Sequence, residues 1–216
     1  MDLLQAKKIM GKNLIGPDEL GLISSQLGIK DPSKVKTRIP KINFSETQLK
    51  KSRKDYILIL GVPKNKKGQW LTLNILRSHF GLDPKKSEPC FYNQDWYLKE
   101  KFAAKTHLEF QWYLVRKKVI TQTRGKDPQA IQKSLNSNES LPSAILSIFT
   151  FFAYYFHTKG EILWKYDFIW CLDKDKNGDR IYTGRYEDPK KINKNGFNIH
   201  RHLSIRPCYG AVTQVL

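Results

Sequence analysis

Acidic residues and cysteines are what this sequence has least of. Asp and Glu number 20 against 38 Lys and Arg, a formal net charge of +18 over 216 residues. An excess this large raises self-repulsion in the compact state, and phosphates are the groups that would offset it. A nucleic-acid partner is expected, DNA ahead of RNA. The three cysteines, Cys90, Cys171 and Cys208, are an odd and sparse set, which excludes a secreted disulfide framework and fits free thiols in a reducing compartment. Long apolar runs are also missing. The longest, Ala144 to Phe156, is roughly two-thirds of what a membrane-spanning helix needs and is interrupted by Ser147 and Thr150. It is expected to be a core segment, with no membrane partner. Met1 to Lys8 has neither a basic n-region nor an apolar h-region, so a cytoplasmic protein without a secretory signal is expected.

The familiar catalytic signatures are absent as well. There is no G-x-x-x-x-G-K-[ST] phosphate loop and no G-x-S-x-G elbow. No Glu-x-Lys pair trails an Asp on adjoining strands, and no His-Asn-His arrangement is flanked by cysteine pairs. No catalytic residue, metal or cofactor is assigned on this basis. A metal-dependent nuclease built on scattered carboxylates, such as Asp95, Glu109, Asp167 and Glu187, is kept as an alternative. Asp173, Asp175 and Asn177 open a D-x-D-x-N-G pattern that suits calcium, but the twelfth position is Gly184 where such a loop needs a bidentate acid. His200, His202, Cys208 and Cys171 offer zinc donors without finger or ribbon spacing.

What is present is an apolar content of 40%, 12% aromatic, enough for a folded domain. Residues 3–10 read as a short helix. Gly16-Pro17-Asp18-Glu19 starts a second helix, whose stripe Leu20, Ile23 and Leu27 ends at Gly28. Residues 1–29 are thus expected as a helical pair, 30–54 as a basic connector and 55–216 as a core domain. Ser45 with Gln48 is a capping signal for a helix carrying Lys50, Lys51, Arg53 and Lys54. Tyr56 to Val62 is a β-prone run suited to a central strand, and Leu71 to Phe80 a helix stopped by Gly81, with His79 as a cap. Phe110 to Lys118 reads as a strand entering a basic loop through Arg124 and Lys126, Gly125 to Ser140 as a surface loop, and the segment from Leu141-Pro142-Ser143-Ala144 as the start of the scaffold helix. Tyr166 to Leu172 and Arg180 to Tyr186 flank an Asn-Gly turn and form a hairpin. The fold class is α+β, with an antiparallel sheet in the core domain.

From Lys30 to Gly68 twelve basic residues face three acids, Asp31, Glu46 and Asp55. Lys50, Lys51, Arg53, Lys54, Lys64, Lys66 and Lys67 are the first candidate phosphate-binding patch. Arg116, Lys117, Lys118, Arg201 and Arg206 are the second. Runs of this kind suit backbone contacts with little sequence specificity. The aromatics Phe91 to Tyr97 and Phe110 to Tyr113 are candidates either for base stacking or for the core.

The closing segment, Arg180-Ile181-Tyr182-Thr183-Gly184-Arg185-Tyr186 through Gly196-Phe197-Asn198-Ile199 to Leu203-Ser204-Ile205-Arg206-Pro207, resembles the last strands of bacterial C-type-lectin-like domains. That resemblance implies a lectin-like C-terminal region and a ligand- or protein-binding module as a further alternative. This chain departs from it in carrying His200, Arg201, His202 and Arg206 where variable Asn and Asp are common. Ala6 to Asn13, Ile42 to Ser45, Phe91 to Tyr97 and Trp112 to Lys117 also look like uncharacterised bacterial proteins. In size, basicity and lysine-rich style the chain is similar to small accessory proteins of bacterial antiviral defence, including those paired with RNA-guided CRISPR nucleases. This implies a non-catalytic DNA-binding adaptor that enhances such an effector, with a homodimer as its clamp form.

Overall fold

The computed structural model describes residues 1–35, 39–186, 196–201 and 204–216, with Tyr186 described by its backbone alone. Of the residues named or counted above, Lys36 and Arg38 of the 30–68 basic stretch and Glu187, His202 and Leu203 lie outside these.

The N-terminal helix forms where the pattern places it. α1 (Leu3–Met10) begins at Asp2, whose carboxylate accepts from Gln5 N, and ends at Gly11. A short strand follows, β1 (Leu14–Ile15), and then α2 (Pro17–Leu22), with Pro17 at its first position and the Glu19 carboxylate accepting from Gly16 N. α3 (Ser24–Leu27) closes on Gly28 at φ 65°. Leu20, Ile23 and Leu27 are all buried, so the stripe holds although the helix breaks at Ile23. His79 does not cap its own helix: its Nε2 lies 2.7 Å from Gln26 O, at the end of α3.

α4 (Glu46–Ser52) carries the capping box of Ser45 and Gln48, and β2 (Tyr56–Leu60) follows after a tight turn. Next come α5 (Leu73–Phe80), capped by Thr72 and stopped by Gly81, then α6 (Lys101–Ala104) and β3 (Trp112–Arg116). The stretch expected as a loop holds α7 (Pro128–Ser134) and β4 (Glu139–Ser140). The Asp-Pro pair explains it: Asp127 accepts from Gln129 N and Ala130 N, Pro128 takes the first helical position, and Ile131 is buried.

α8 (Ala144–His157) starts at Ser143 and is buried continuously from Ala144 to Tyr154. β5 (Phe168–Lys174) and β6 (Arg180–Tyr186) form the expected hairpin. β7 (Gly196–Arg201), β8 (Tyr209–Gly210) and β9 (Gln214–Val215) complete the chain.

The described residues make a mixed α+β fold with eight helices and two mixed sheets. The first sheet runs β1-β2-β3-β9-β4 and the second β7-β6-β5-β8. β2 is paired on both edges, parallel to β1 and antiparallel to β3, and Ile57 to Leu60 are buried as a central strand requires. β1 therefore ties the N-terminal helices into this sheet, and one apolar cluster runs from Ala6 to Val212. α8 packs against β5 and β6 and against β1, α2, α3 and α5. Phe152 stacks on Phe80 at 4.1 Å, and Phe151 meets Phe197 at 4.6 Å. Phe91 and Tyr97 are buried with them, so these two aromatics fill the core. No helix of the described residues is long and apolar enough to cross a membrane.

Candidate nucleic-acid interface

The register of the first sheet decides which cations meet. Tyr56 pairs with Arg116, and β1 runs parallel to β2 with Leu14 opposite Leu58. The residues just before β1 and β2 and just after β3 must then share one end of the sheet. Lys12, Arg53, Lys54, Lys117 and Lys118 stand there, and the links are explicit. Lys117 N donates to Asp55 O at 2.7 Å, Lys117 Nζ to Asn13 Oδ1 at 2.9 Å, and Asn13 Nδ2 to Arg53 O at 2.6 Å. Asn13 is buried and joins two cationic segments that are far apart in sequence. Burial and the neighbouring Lys12 charge together push the Lys117 ammonium below its ordinary value.

The end of α8 and the segment after it close this end of the sheet. His157 Nε2 lies 3.1 Å from Lys12 O, and a concavity of about 580 Å³ opens between residues 117–124 and 161–167. Lys12, Lys117, Lys118, Arg124 and Lys165 line it against two carboxylates, Glu161 and Asp167. Asp167 is held by Arg124 through both of its oxygens. Glu161 accepts from Tyr154 OH at 2.8 Å and stands 3.6 Å from Lys12 Nζ. That tyrosine bond, opposed by slight burial and helped by Lys12, holds the Glu161 carboxyl below its usual range. Burial and the carboxylate beside it push the Tyr154 hydroxyl up to about 12.

Two of the predicted residues nearby are placed differently. Arg116 donates to Tyr56 OH at 3.2 Å and lies 5.5 Å from that ring, so its guanidinium is engaged inside the sheet. Lys50 pairs with Glu46 at 2.6 Å on α4, while Lys51 is exposed beside it. Arg206 is exposed on the 204–208 segment, where Pro207 lies against Gly125 and Cys208 O accepts from Phe168 N. Arg206 therefore stands near the Arg124 side of the concavity.

Lys64, Lys66 and Lys67 follow β2 and so occupy the opposite end of the sheet. Their loop is built around buried Asn65, whose Oδ1 accepts from Lys67 N at 3.0 Å and Gln69 N at 2.9 Å. Lys64 Nζ sits 4.9 Å from the ring of Trp70, which stacks on His107 at 4.2 Å and is 53% exposed. Lys66 reaches Ser25 Oγ at 3.2 Å. Arg201 belongs to neither end. On β7 it pairs with Asp175 at 3.3 Å and lies 5.5 Å from the Trp96 ring. The fold thus regroups the two expected patches into a cluster at the Lys117 end, a loop at the Lys64 end and an isolated, engaged Arg201.

The described members of the metal-like patterns make local contacts. Asp175 Oδ1 accepts from Asn177 N and Asp179 N, both at 2.9 Å, and its other oxygen faces Arg201. Asp173 accepts from Ala144 N at 2.6 Å at the start of α8, and burial raises its carboxyl despite that bond. His200 stacks on Tyr182 and its Nδ1 lies against the Arg201 backbone. Among the described residues no group of three His, Cys, Asp or Glu is placed to hold a metal ion. Among the described residues no cysteine forms a disulfide, and burial pushes Cys90 up to about 11 and Cys171 up to about 12.

Lys12, Arg124 and Lys165 sit outside the long lysine runs, and only the parallel β1–β2 pairing and the fold of residues 158–167 bring them together. The chain matches no family model, no curated protein and no solved structure.

Proposed function

We propose that this protein is a non-catalytic DNA-binding accessory protein that holds the phosphate backbone with little sequence preference. The observation that carries the reading is the meeting of Arg53, Lys54, Lys117 and Lys118 with Lys12 at one end of a sheet. Lys54, Lys117 and Lys118 have no carboxylate within ion-pair range among the described residues. A duplex would provide the charge they lack and release counterions in doing so. The Lys64, Lys66 and Lys67 loop is a second backbone contact in the same reading.

The finer proposals belong to it. They are a cytoplasmic setting, a C-type-lectin-like C-terminal sheet serving as scaffold, and a dimeric adaptor role beside a defence effector such as an RNA-guided CRISPR nuclease. Sedimentation of the purified chain tests the dimer, and co-purification with the product of a neighbouring gene tests the effector.

The direct test is titration of a labelled random-sequence duplex at several salt concentrations, with and without magnesium. Binding that weakens steeply with salt, leaves the duplex intact and loses affinity in a Lys54→Glu, Lys118→Glu double variant is expected. Absence of binding at low salt would overturn the reading, and magnesium-dependent cleavage would favour the nuclease alternative.

A further inference from the structure

The concavity beside Lys117 gathers five cations around one depression of the surface. Arg124 is neutralised by Asp167, and Lys12 stands near Glu161, but Lys117, Lys118 and Lys165 have no carboxylate partner among the described residues. The Lys117 ammonium donates to the neutral side chain of Asn13, and Lys165 Nζ stands 5.2 Å from the ring of Tyr166. The concavity therefore retains a formal surplus of about three positive charges within one open depression of the surface. The adjoining concavity of about 500 Å³ shows the contrast: there Lys7 is paired with Glu19 at 2.8 Å and with Asp18 at 3.8 Å.

The wall of the first pocket is aromatic as well as basic. Tyr154, Trp164 and Tyr166 line it, and Tyr166 is 74% exposed. Trp164 has φ 50°, a left-handed backbone that a bulky residue rarely adopts, and its buried indole N–H has no hydrogen-bond partner. An unfavourable backbone and an unpaired donor in one wall residue are features that cluster at binding sites. The volume, about 580 Å³, falls within the range of small-ligand pockets.

We propose that this concavity is a subsite for a nucleoside 5′-phosphate, with Lys117, Lys118 and Lys165 holding the phosphomonoester and the Tyr166 ring meeting the base. A terminal phosphate carries close to two negative charges, whereas each backbone diester carries one, so the monoester better matches a concentrated cationic surplus. Stacking on an exposed tyrosine is tolerant of base identity. The ligand is either a free nucleotide or the 5′-phosphorylated end of a strand. The inference rests on the reading of the basic face as a nucleic-acid surface, and narrows it to chain ends.

The test is fluorescence anisotropy of one short 3′-labelled single strand, prepared with a 5′-phosphate and with a 5′-hydroxyl, at physiological salt. Competition by adenosine 5′-monophosphate, adenosine and inorganic phosphate separates the two sources. The 5′-phosphorylated strand is expected to bind about tenfold more tightly, the gain of one strong charge-assisted contact. The monophosphate should compete better than adenosine or inorganic phosphate. Lys118→Glu with Lys165→Glu should abolish the preference, while Lys105→Glu with Lys133→Glu, both exposed away from the concavity and together equal in charge change, should keep it.

Equal, salt-sensitive binding of both strands with no competition would overturn the subsite and leave the backbone reading standing. Competition by inorganic phosphate as strong as by the nucleotide would overturn the nucleoside part. Binding of a fluorescent adenosine 5′-monophosphate, titrated directly, with neither strand bound would uphold the subsite and remove the nucleic-acid reading. No binding of any probe would overturn both.

Discussion

Asn13 shows how one side chain can organise a charged surface without being charged. Its amide uses both ends, accepting from Lys117 Nζ and donating to Arg53 O, and it is only 6% exposed. Removing it strands a half-buried ammonium and a backbone carbonyl together. Asn13→Ala is expected to cost about 1–3 kcal/mol of stability, the cost of leaving buried polar groups unpaired. It should also weaken duplex binding beyond what the neutral substitution would do by charge. Urea unfolding checks the first expectation and titration of the labelled duplex the second. Retained stability with retained affinity would show that Lys117 is positioned by other contacts. Asn13 falls outside every basic run, and so no local pattern singles it out in the sequence.

At the scale of elements, the shortest strands depend most on side chains. β4 and β9 are two residues each, and Glu139 ties them to β2 by accepting from Thr213 Oγ1 at 2.8 Å and Tyr56 OH at 3.0 Å. Burial alone would raise the Glu139 carboxyl. The bonds from Thr213, Asn136 and Tyr56, with the nearby Arg116 charge, bring it instead below its ordinary value of 4.5. A carboxyl lowered by folding contributes stability above its unfolded value, and that contribution is lost as pH falls through the folded one. Glu139→Gln should therefore be less stable by about 1 kcal/mol at neutral pH, the loss of charge assistance in these bonds. The gap to the parent should close on acidification below about pH 4. Thermal unfolding across this range measures it, and a gap that stays constant with pH would show that the charge is not what matters.

Long elements with strong local signals were legible in advance, and α8, β2 and the β5–β6 hairpin appear within a few residues of their patterns. β1, β4 and β9 were not, because two-residue strands have no periodicity and exist only through pairing with distant chain. The α7 start was written locally in Asp127-Pro128 and was obscured by the polar residues around it. The candidate site was half legible for the same reason. Lysine runs are visible in sequence, while their grouping depends on strand register and on Lys12, Arg124 and Lys165 arriving from elsewhere.

For the whole molecule, the separation of the two basic ends sets a length that a partner must match. Lys54 and Lys64 are ten residues apart with β2 extended between them, which places them at most about 33 Å apart at roughly 3.3 Å per residue. One turn of B-form duplex is about 34 Å, so phosphates one turn apart on a single face could meet both ends of β2. The consequence is a dependence of the salt slope on duplex length. Each neutralised phosphate adds about −0.9 to the slope of log affinity against log salt. A duplex of about half a turn reaches one end only, whereas one of two turns reaches both and should show a slope steeper by about 2 to 3. Substituting Lys64, Lys66 and Lys67 with Gln should return the long duplex to the slope of the short one and leave the short one unchanged. Equal slopes at both lengths in the parent protein would mean that only one end of the sheet meets the duplex, and the loop lysines would then need a different partner.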